Sequence, residues 1–495
     1  MQTTIRLLLA VTVPALLASV AGGQVTFTPD QSIGASDAQP YDALGYGMAV
    51  DGAAMLVGAR GSDTIATNGG VVYAYIRTVN GWVQSQKVVF TNAQSGDEIG
   101  AAVALRGSVG VAGAPQRGSR GSAFALRFDG GAWFAVAELT DGEVSVDGEF
   151  GASVACTADF IAAGAPASAE GVGAFAGRVR LFSRSGTQWN PATVLRATYP
   201  DPGDRFGFSV AMDGPWLAIG APGDDDAGIN SGAVWLYRLQ GGQYQLVQKI
   251  LPAAELGSVA GVSFGQSVSL QGTTLVVGAP LVDSSASDAG AAVVYDVGDG
   301  GASIRSVLSP AGGSLHAQFG FAVATDGTSV VVGAPGLTIA GQLRGGAFLY
   351  LAGDKSSGVL APGGLPSLSL TGTRVAVTDT SVLAAAPTAT AGVLSGVGRI
   401  FVLDRTRDCD SSGLPDAIEL ATGALVDLNG DGIPDECQCV ADLSGDGFVN
   451  ASDLAILLAF WASTNPSLPG ADIDRNGVVG ASDLAVLLGT WGICQ

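Results

Sequence analysis

Apolar and polar positions alternate in short runs along most of the chain, and one version of that alternation recurs seven times. In Phe206–Pro222 (FGFSVAMDGPWLAIGAP) the apolar residues Phe208, Val210 and Met212 fall at every second position. A short Asp-Gly turn follows, and then a nearly continuous apolar run that ends in Gly-Ala-Pro. Alternation predicts a strand with one buried face, and a continuous run such as Leu275–Pro280 (LVVGAP) predicts a strand buried on both. Copies begin at Leu44-Gly45, Ile99-Gly100, Phe150-Gly151, Phe206-Gly207, Phe264-Gly265, Phe319-Gly320 and, degraded, Thr371-Gly372. Their apolar runs close at Gly58, Gly113, Gly164, Gly220, Gly278, Gly333 and Ala385, always 13 positions after the leading glycine. A spacing held through seven copies marks an internal repeat.

Asp51-Gly52, Asp213-Gly214 and Asp326-Gly327 supply the positive-φ chemistry of tight hairpins between the two strands. A third strand follows each copy, as in Gly70–Tyr75 or Gly232–Tyr237, and in most copies a fourth, as in Gln84–Phe90 or Gln245–Leu251. Four short antiparallel strands recurring every 51 to 58 residues (Ile99 to Phe150, Phe206 to Phe264) predict an all-β fold, a seven-bladed β-propeller. The seventh copy ends at its third strand, Gly398–Leu403. The segment Gln24–Gln31 (QVTFTPDQ) resembles Gln86–Gln94 (QKVVFTNAQ). The N-terminal residues Gln24–Thr28 are therefore expected to pair with Gly398–Leu403, completing blade seven and hiding its edge.

Over roughly Gln24 to Asp404 these residues resemble FG-GAP repeat proteins, whose best-known relative is the propeller of integrin α-subunits. The resemblance implies seven blades whose first two strands are the FG and GAP strands. It also implies a ligand-binding rim made by the loop after GAP and the loop before FG. Many members carry a DxDxDG calcium loop between the FG and GAP strands; here that hairpin has two or three residues, so calcium is not expected there. Acidic residues gather in the rim loops, and Asp204, Asp224, Asp225 and Asp226 are the candidate ligand-binding residues, with Asp97, Glu98, Asp201, Asp283 and Asp288 nearby. The alternative is that they are loop tips held in Asx-turns.

The whole chain has 495 residues, 47% hydrophobic and 14% charged, with 74 glycines, which fits a turn-rich β body and excludes disorder. Residues 1–23 read as a secretory signal: Arg6, the apolar run Leu7–Leu17, then small residues around Ala21. Later stretches are too short and interrupted to span a membrane. A net charge of -21 makes nucleic acid and anionic membranes poor partners. Cys156 takes the place of Val50, Leu105, Met212 and Leu270 in other copies and reads as a core thiol. His316 is the single histidine, too little for a His-based metal site or a Ser-His-Asp triad, and no SxDxGxTW box appears. No catalytic residue is assigned.

Composition shifts after Asp404. Residues 408–495 hold fourteen Asp and Glu against Arg475 alone, a density that repels itself unless cations sit in it. Two calcium-type runs come first, Asp408, Asp410, Ser412 and Asp416, then Asp427, Asn429, Asp431 and Asp435, in a segment (405–438) that resembles thrombospondin type-3 repeats. Two twelve-residue loops follow in 439–495, each leading into an apolar helix. The first offers Asp442, Ser444, Asp446, Phe448, Asn450 and Asp453, and the second Asp472, Asp474, Asn476, Val478 and Asp483. Oxygen donors at positions 1, 3, 5 and 12, with glycine at 6, suit calcium. The duplicated loop and helix resemble a type I dockerin, which implies a small α-helical, EF-hand-like module that docks onto a cohesin-like protein.

Cys409, Cys437, Cys439 and Cys494 form an even set in an exported chain. Three pairings are open; Cys409–Cys437 with Cys439–Cys494 is favoured because each then brackets one pair of calcium loops, and a zinc site is the alternative. The chain thus reads as a secreted, monomeric, non-enzymatic binding or adhesion protein for a protein, glycan or matrix ligand. Rival readings are a propeller lyase or glycan hydrolase delivered by the dockerin-like tail, and a structural component of the cell envelope.

Overall fold

The computed structural model describes residues 26–27, 29–171, 173–257, 259–310, 315–339, 341–351, 355–360 and 368–406, then 416, 419–420, 425, 434, 441–444, 448–464, 471–474 and 476–493. Residues 1–23, read from the sequence as a secretory signal, lie outside them. Up to residue 406 the chain forms seven blade sheets, each built on antiparallel strands, and one two-stranded hairpin, Thr338–Ile339 with Gln342–Leu343. Blade one pairs Leu44–Asp51, Ala54–Ala59, Val71–Thr78 and Gly81–Val88 in that order. The first strands of the other blades begin at Ala102, Ser153, Ser209, Ser267, Ala322 and Arg374. Each first strand packs beside the next, and the seventh, Arg374–Val377, packs beside the first, which closes the ring.

Blades adhere through their faces. One apolar cluster joins Leu56, Val72 and Val88 of blade one to Val103, Ala112 and Leu126 of blade two. The residue before the motif glycine, a phenylalanine in four of the seven copies, ties two blades at once. Phe206, fully buried, bridges through its backbone to Gly177 of blade three while its ring meets Trp235 of its own blade edge-on at 5.2 Å. Phe319 repeats this with Gly290 and Phe348, at 5.0 Å.

The motif glycines mark where neighbouring backbones nearly touch. A Cβ at Gly164 would lie 2.1 Å from the Gly207 carbonyl oxygen of the next blade. Where the strand has room it adds a hydrogen bond instead: the hydroxyls of Ser153, Ser209 and Ser267 donate to the carbonyls of Gly207, Gly265 and Gly320 at 2.6, 2.8 and 2.9 Å.

The N-terminal segment does complete blade seven, but with other residues than the sequence similarity selects. Gln31–Ile33 pairs antiparallel with Val402–Ile400. Thr26–Phe27, placed by the sequence on blade seven, instead adds a parallel strand to Val359–Leu360 at the outer edge of blade six. The register is set by a glutamine clasp. The Gln31 side chain donates to the Trp82 carbonyl at 2.7 Å and accepts from the Trp82 N–H at 2.9 Å, as Gln86 does with Trp133 at 2.8 and 2.7 Å. Gln31, not Gln24, is thus the counterpart of Gln86, and Ile33 matches Val88 as the buried residue two places on.

The described residues after 440 carry two short helices, Ala451–Ala459 and Ala481–Gly489, packed on each other. Phe448–Val449 pairs with Gly492–Ile493. A small core takes matching residues from both halves: Ala441 with Ala471, Val449 with Val479, Leu457 with Leu487. No helix among the described residues is long and apolar enough to cross a membrane.

Candidate functional site

Two loop sets meet on one face of the propeller. The end of each post-GAP loop bridges to the start of the next FG strand, as Gly70 does to Ile99 and Gly232 to Phe264. The residue ahead of each FG pair has a left-handed backbone in all seven blades, from Leu370 at φ 52 to Glu149 and Arg205 at φ 59. The rim is therefore a rigid frame whose side chains differ from blade to blade.

Apart from Asp201, the acidic residues singled out on this rim have internal duties. Asp204 is buried and accepts the Asp201 N–H at 2.8 Å, as Asp42 accepts from Gln39 and Asp97 from Gln94, both at 2.7 Å. Burial pushes the Asp204 carboxyl up to about 6, with the Asp224 charge adding to the shift, and burial raises Asp42 as well. Asp224 and Asp226 both hold the Lys249 ammonium, at 2.7 and 2.5 Å. Burial works against that ammonium, yet the two carboxylates outweigh it and its pKa is raised. Asp225 accepts the Asn230 N–H at 2.6 Å, and Asp283 the Asp288 N–H at 2.9 Å, an Asx-type closure of each loop. A ligand reaching these carboxylates competes with contacts already made.

The sequence reading passed over a different rim feature. A concavity of about 450 Å³ opens between blades three, four and five, lined among others by Phe175, Arg205, Pro222, Asn230, Ser263, Gln266 and Leu281. The available signal was position: Arg205 is the one cation among the seven residues that precede the FG pair, beside Ala43, Glu98, Glu149, Ser263, Gln318 and Leu370.

In the tail, the second calcium-type loop brings three of its candidates together. Oxygens of Asp472, Asp474 and Asp483 lie within 4.8 Å of one another. Asp483 is buried and accepts the N–H groups of Asp474 and Gly480 at 3.0 and 2.6 Å, while Asp472 accepts from Gly477 at 2.9 Å. The second carboxylate oxygen of Asp472 is buried without a hydrogen-bond partner. Three carboxylates with an orphaned oxygen fit a hard cation. Asn476 turns to Asp474 and Ser482 and supports the loop from within; the Val478 N–H donates to Asn476.

In the first loop, Asp453 is buried and accepts the N–H groups of Ser444 and Asn450, each at 2.8 Å. The Ser444 hydroxyl reaches Asp442 at 3.3 Å, and Phe448 opens the short strand. Asp446 lies outside the described residues, as do Asp408, Asp410, Ser412, Asp427, Asn429, Asp431, Asp435 and the four tail cysteines. Asp416 is described and buried. Cys156 is a buried free thiol, and burial pushes it up to about 12.

Four stretches match the model of the FG-GAP repeat: residues 27–75, 189–237, 248–295 and 305–350. The chain therefore carries FG-GAP repeats, folded as a seven-bladed propeller. Among solved structures, a putative 6-phosphogluconolactonase from Bacteroides uniformis is similar at 10% identity and a TM-score of 0.42, over 64% of this chain and 83% of that one. A likeness at that level bears on no point of fold or chemistry. No curated protein matches the sequence.

Proposed function

We propose that this is an exported, non-enzymatic binding protein in which the propeller rim holds a ligand and a calcium-ordered, dockerin-like tail attaches the molecule to a partner. The observation that carries the attachment half is the convergence of Asp472, Asp474 and Asp483 around an unpartnered buried oxygen. When bound there, calcium supplies the positive charge that lets the three carboxylates stay together. The chain's own part is to hold them: Asp483 caps its helix while fixing the loop through two backbone N–H groups.

Each helix and the residues just after it leave apolar side chains exposed at matching places, Leu458 and Trp461 in one half and Leu488 and Trp491 in the other. Exposed aromatics paired with leucines are what a protein interface needs. FG-GAP repeats are typical of extracellular proteins, which agrees with the leader-like residues 1–23. The test is capture from an extracellular fraction by the full protein, with and without chelator. Attachment is expected to vanish with chelator; capture of the same partner in its presence would overturn the proposal.

A further inference from the structure

The concavity between blades three, four and five differs in chemistry from the rest of its rim. Arg60, Arg117, Arg178 and Lys249 each hold a carboxylate, Arg120 donates to the Val144 carbonyl and Arg344 to the Gln342 amide. Arg205 has no ion pair among the described residues. Its guanidinium lies 5.4 Å from the Phe175 ring centroid and 6.0 Å from that of Phe208. Two aromatic rings and a backbone locked at φ 59 hold it in place before any ligand arrives. No carboxylate lines the concavity.

The remaining lining divides in two. Asn230, Ser263 and Gln266 offer amide and hydroxyl groups, while Phe175, Pro222 and Leu281 offer apolar walls. A fixed guanidinium recognises a planar or tetrahedral oxyanion through paired N–H donors. Amides and a hydroxyl beside an aromatic wall suit a ring with hydroxyls on its edge and C–H groups on its face. The volume suits one or two such rings. With a net charge of -21 the protein repels a densely charged polyanion at long range, so the fitting ligand carries few charges.

From this arrangement we infer that the pocket binds a saccharide unit bearing one anionic group, a uronate or a sulfate. The inference rests on the proposed rim-binding role and names its ligand class. Titration calorimetry of the full chain would use digalacturonate, galactose 6-sulfate, neutral galactobiose and an Asp-terminated tripeptide as probes. At least one anionic sugar is expected to bind about ten-fold or more tightly than galactobiose, and comparison of the first two probes tells uronate from sulfate.

Arg205→Gln should lose about ten-fold or more of that affinity with an unchanged melting temperature, and Arg205→Lys should recover part of it. Phe175→Ala should weaken binding by loosening Arg205. Equal binding of galactobiose, tighter binding of the tripeptide, no saccharide binding, or no effect of Arg205→Gln would each overturn the inference. Captured rim ligands in the presence of any of those results would leave the broader binding role standing, so the two failures are distinguishable.

Discussion

A methyl group added at Gly278 would arrive 1.9 Å from the carbonyl oxygen of Gly320 in the next blade. Backbone, not a flexible side chain, stands in the way, so the blades themselves must part. Gly278→Ala is expected to cost about 2 kcal/mol or more, read as a fall in the denaturation midpoint. The seventh copy has Ala385 at that place, and there the first strand of blade one is bulged between Leu44 and Gly47, an irregularity the other first strands lack. Asp204 gives the second prediction at this scale. Its folded-state pKa of about 6 lies above the usual 3.8, so the native protein binds the proton more tightly than the unfolded chain. The group therefore lowers stability as pH rises through that window, with the full penalty above it. Asp204→Asn keeps the acceptor for Asp201 and removes the charge. It should raise the melting temperature at pH 7.5, with the gain closing by pH 4; equal gains at both pH values would contradict the burial argument.

Strands were legible because their signal is local and repeated. The spacing from Gly45 to Gly58 fixed seven FG and GAP strands at once, since a one-residue slip would turn every buried side chain outward. The outer strand of blade seven was legible only as a need. Gln24 and Gln31 both begin segments like Gln86–Gln94, and the choice depends on a clasp to Trp82, 51 residues from Gln31, that no local pattern reports. Gln31→Ala should therefore lower stability by about 1 kcal/mol through its two lost hydrogen bonds, while Gln24→Ala should have no effect. Chemical denaturation of the two variants decides this, and the reverse order would restore the original register. The rim followed the same division. Its loops were legible from their variable length and acidic content. Lys249 neutralising Asp224 and Asp226 was not, because the lysine sits on the fourth strand and the aspartates on the loop ahead of the third. Arg205 was hidden for a related reason: its isolation from carboxylates is a property of three blades together.

At the scale of the molecule the argument turns on charge. The tail from Asp408 to Gln495 carries a net charge of −13, fourteen acidic residues against Arg475. The ring has its own closed core and needs none of that charge. In the second tail loop three carboxylates share one small volume, and like charges that close resist assembly until a cation or protons neutralise them. Their separation should release the helices, because Asp483 serves both as carboxylate and as cap for Ala481–Gly489, and Asp453 serves likewise for Ala451–Ala459. On the proposed reading, calcium binding free energy would then become folding free energy for the tail alone. Chelation should lower the helical circular dichroism signal and shift the melting of the tail while the propeller transition stays where it was. Asp453→Ala with Asp483→Ala should reproduce the chelated spectrum in calcium. A propeller transition that moves with calcium would show that the ring itself holds an ion. A tail that keeps its helices in chelator would show that backbone capping by Asp453 and Asp483 suffices without a cation.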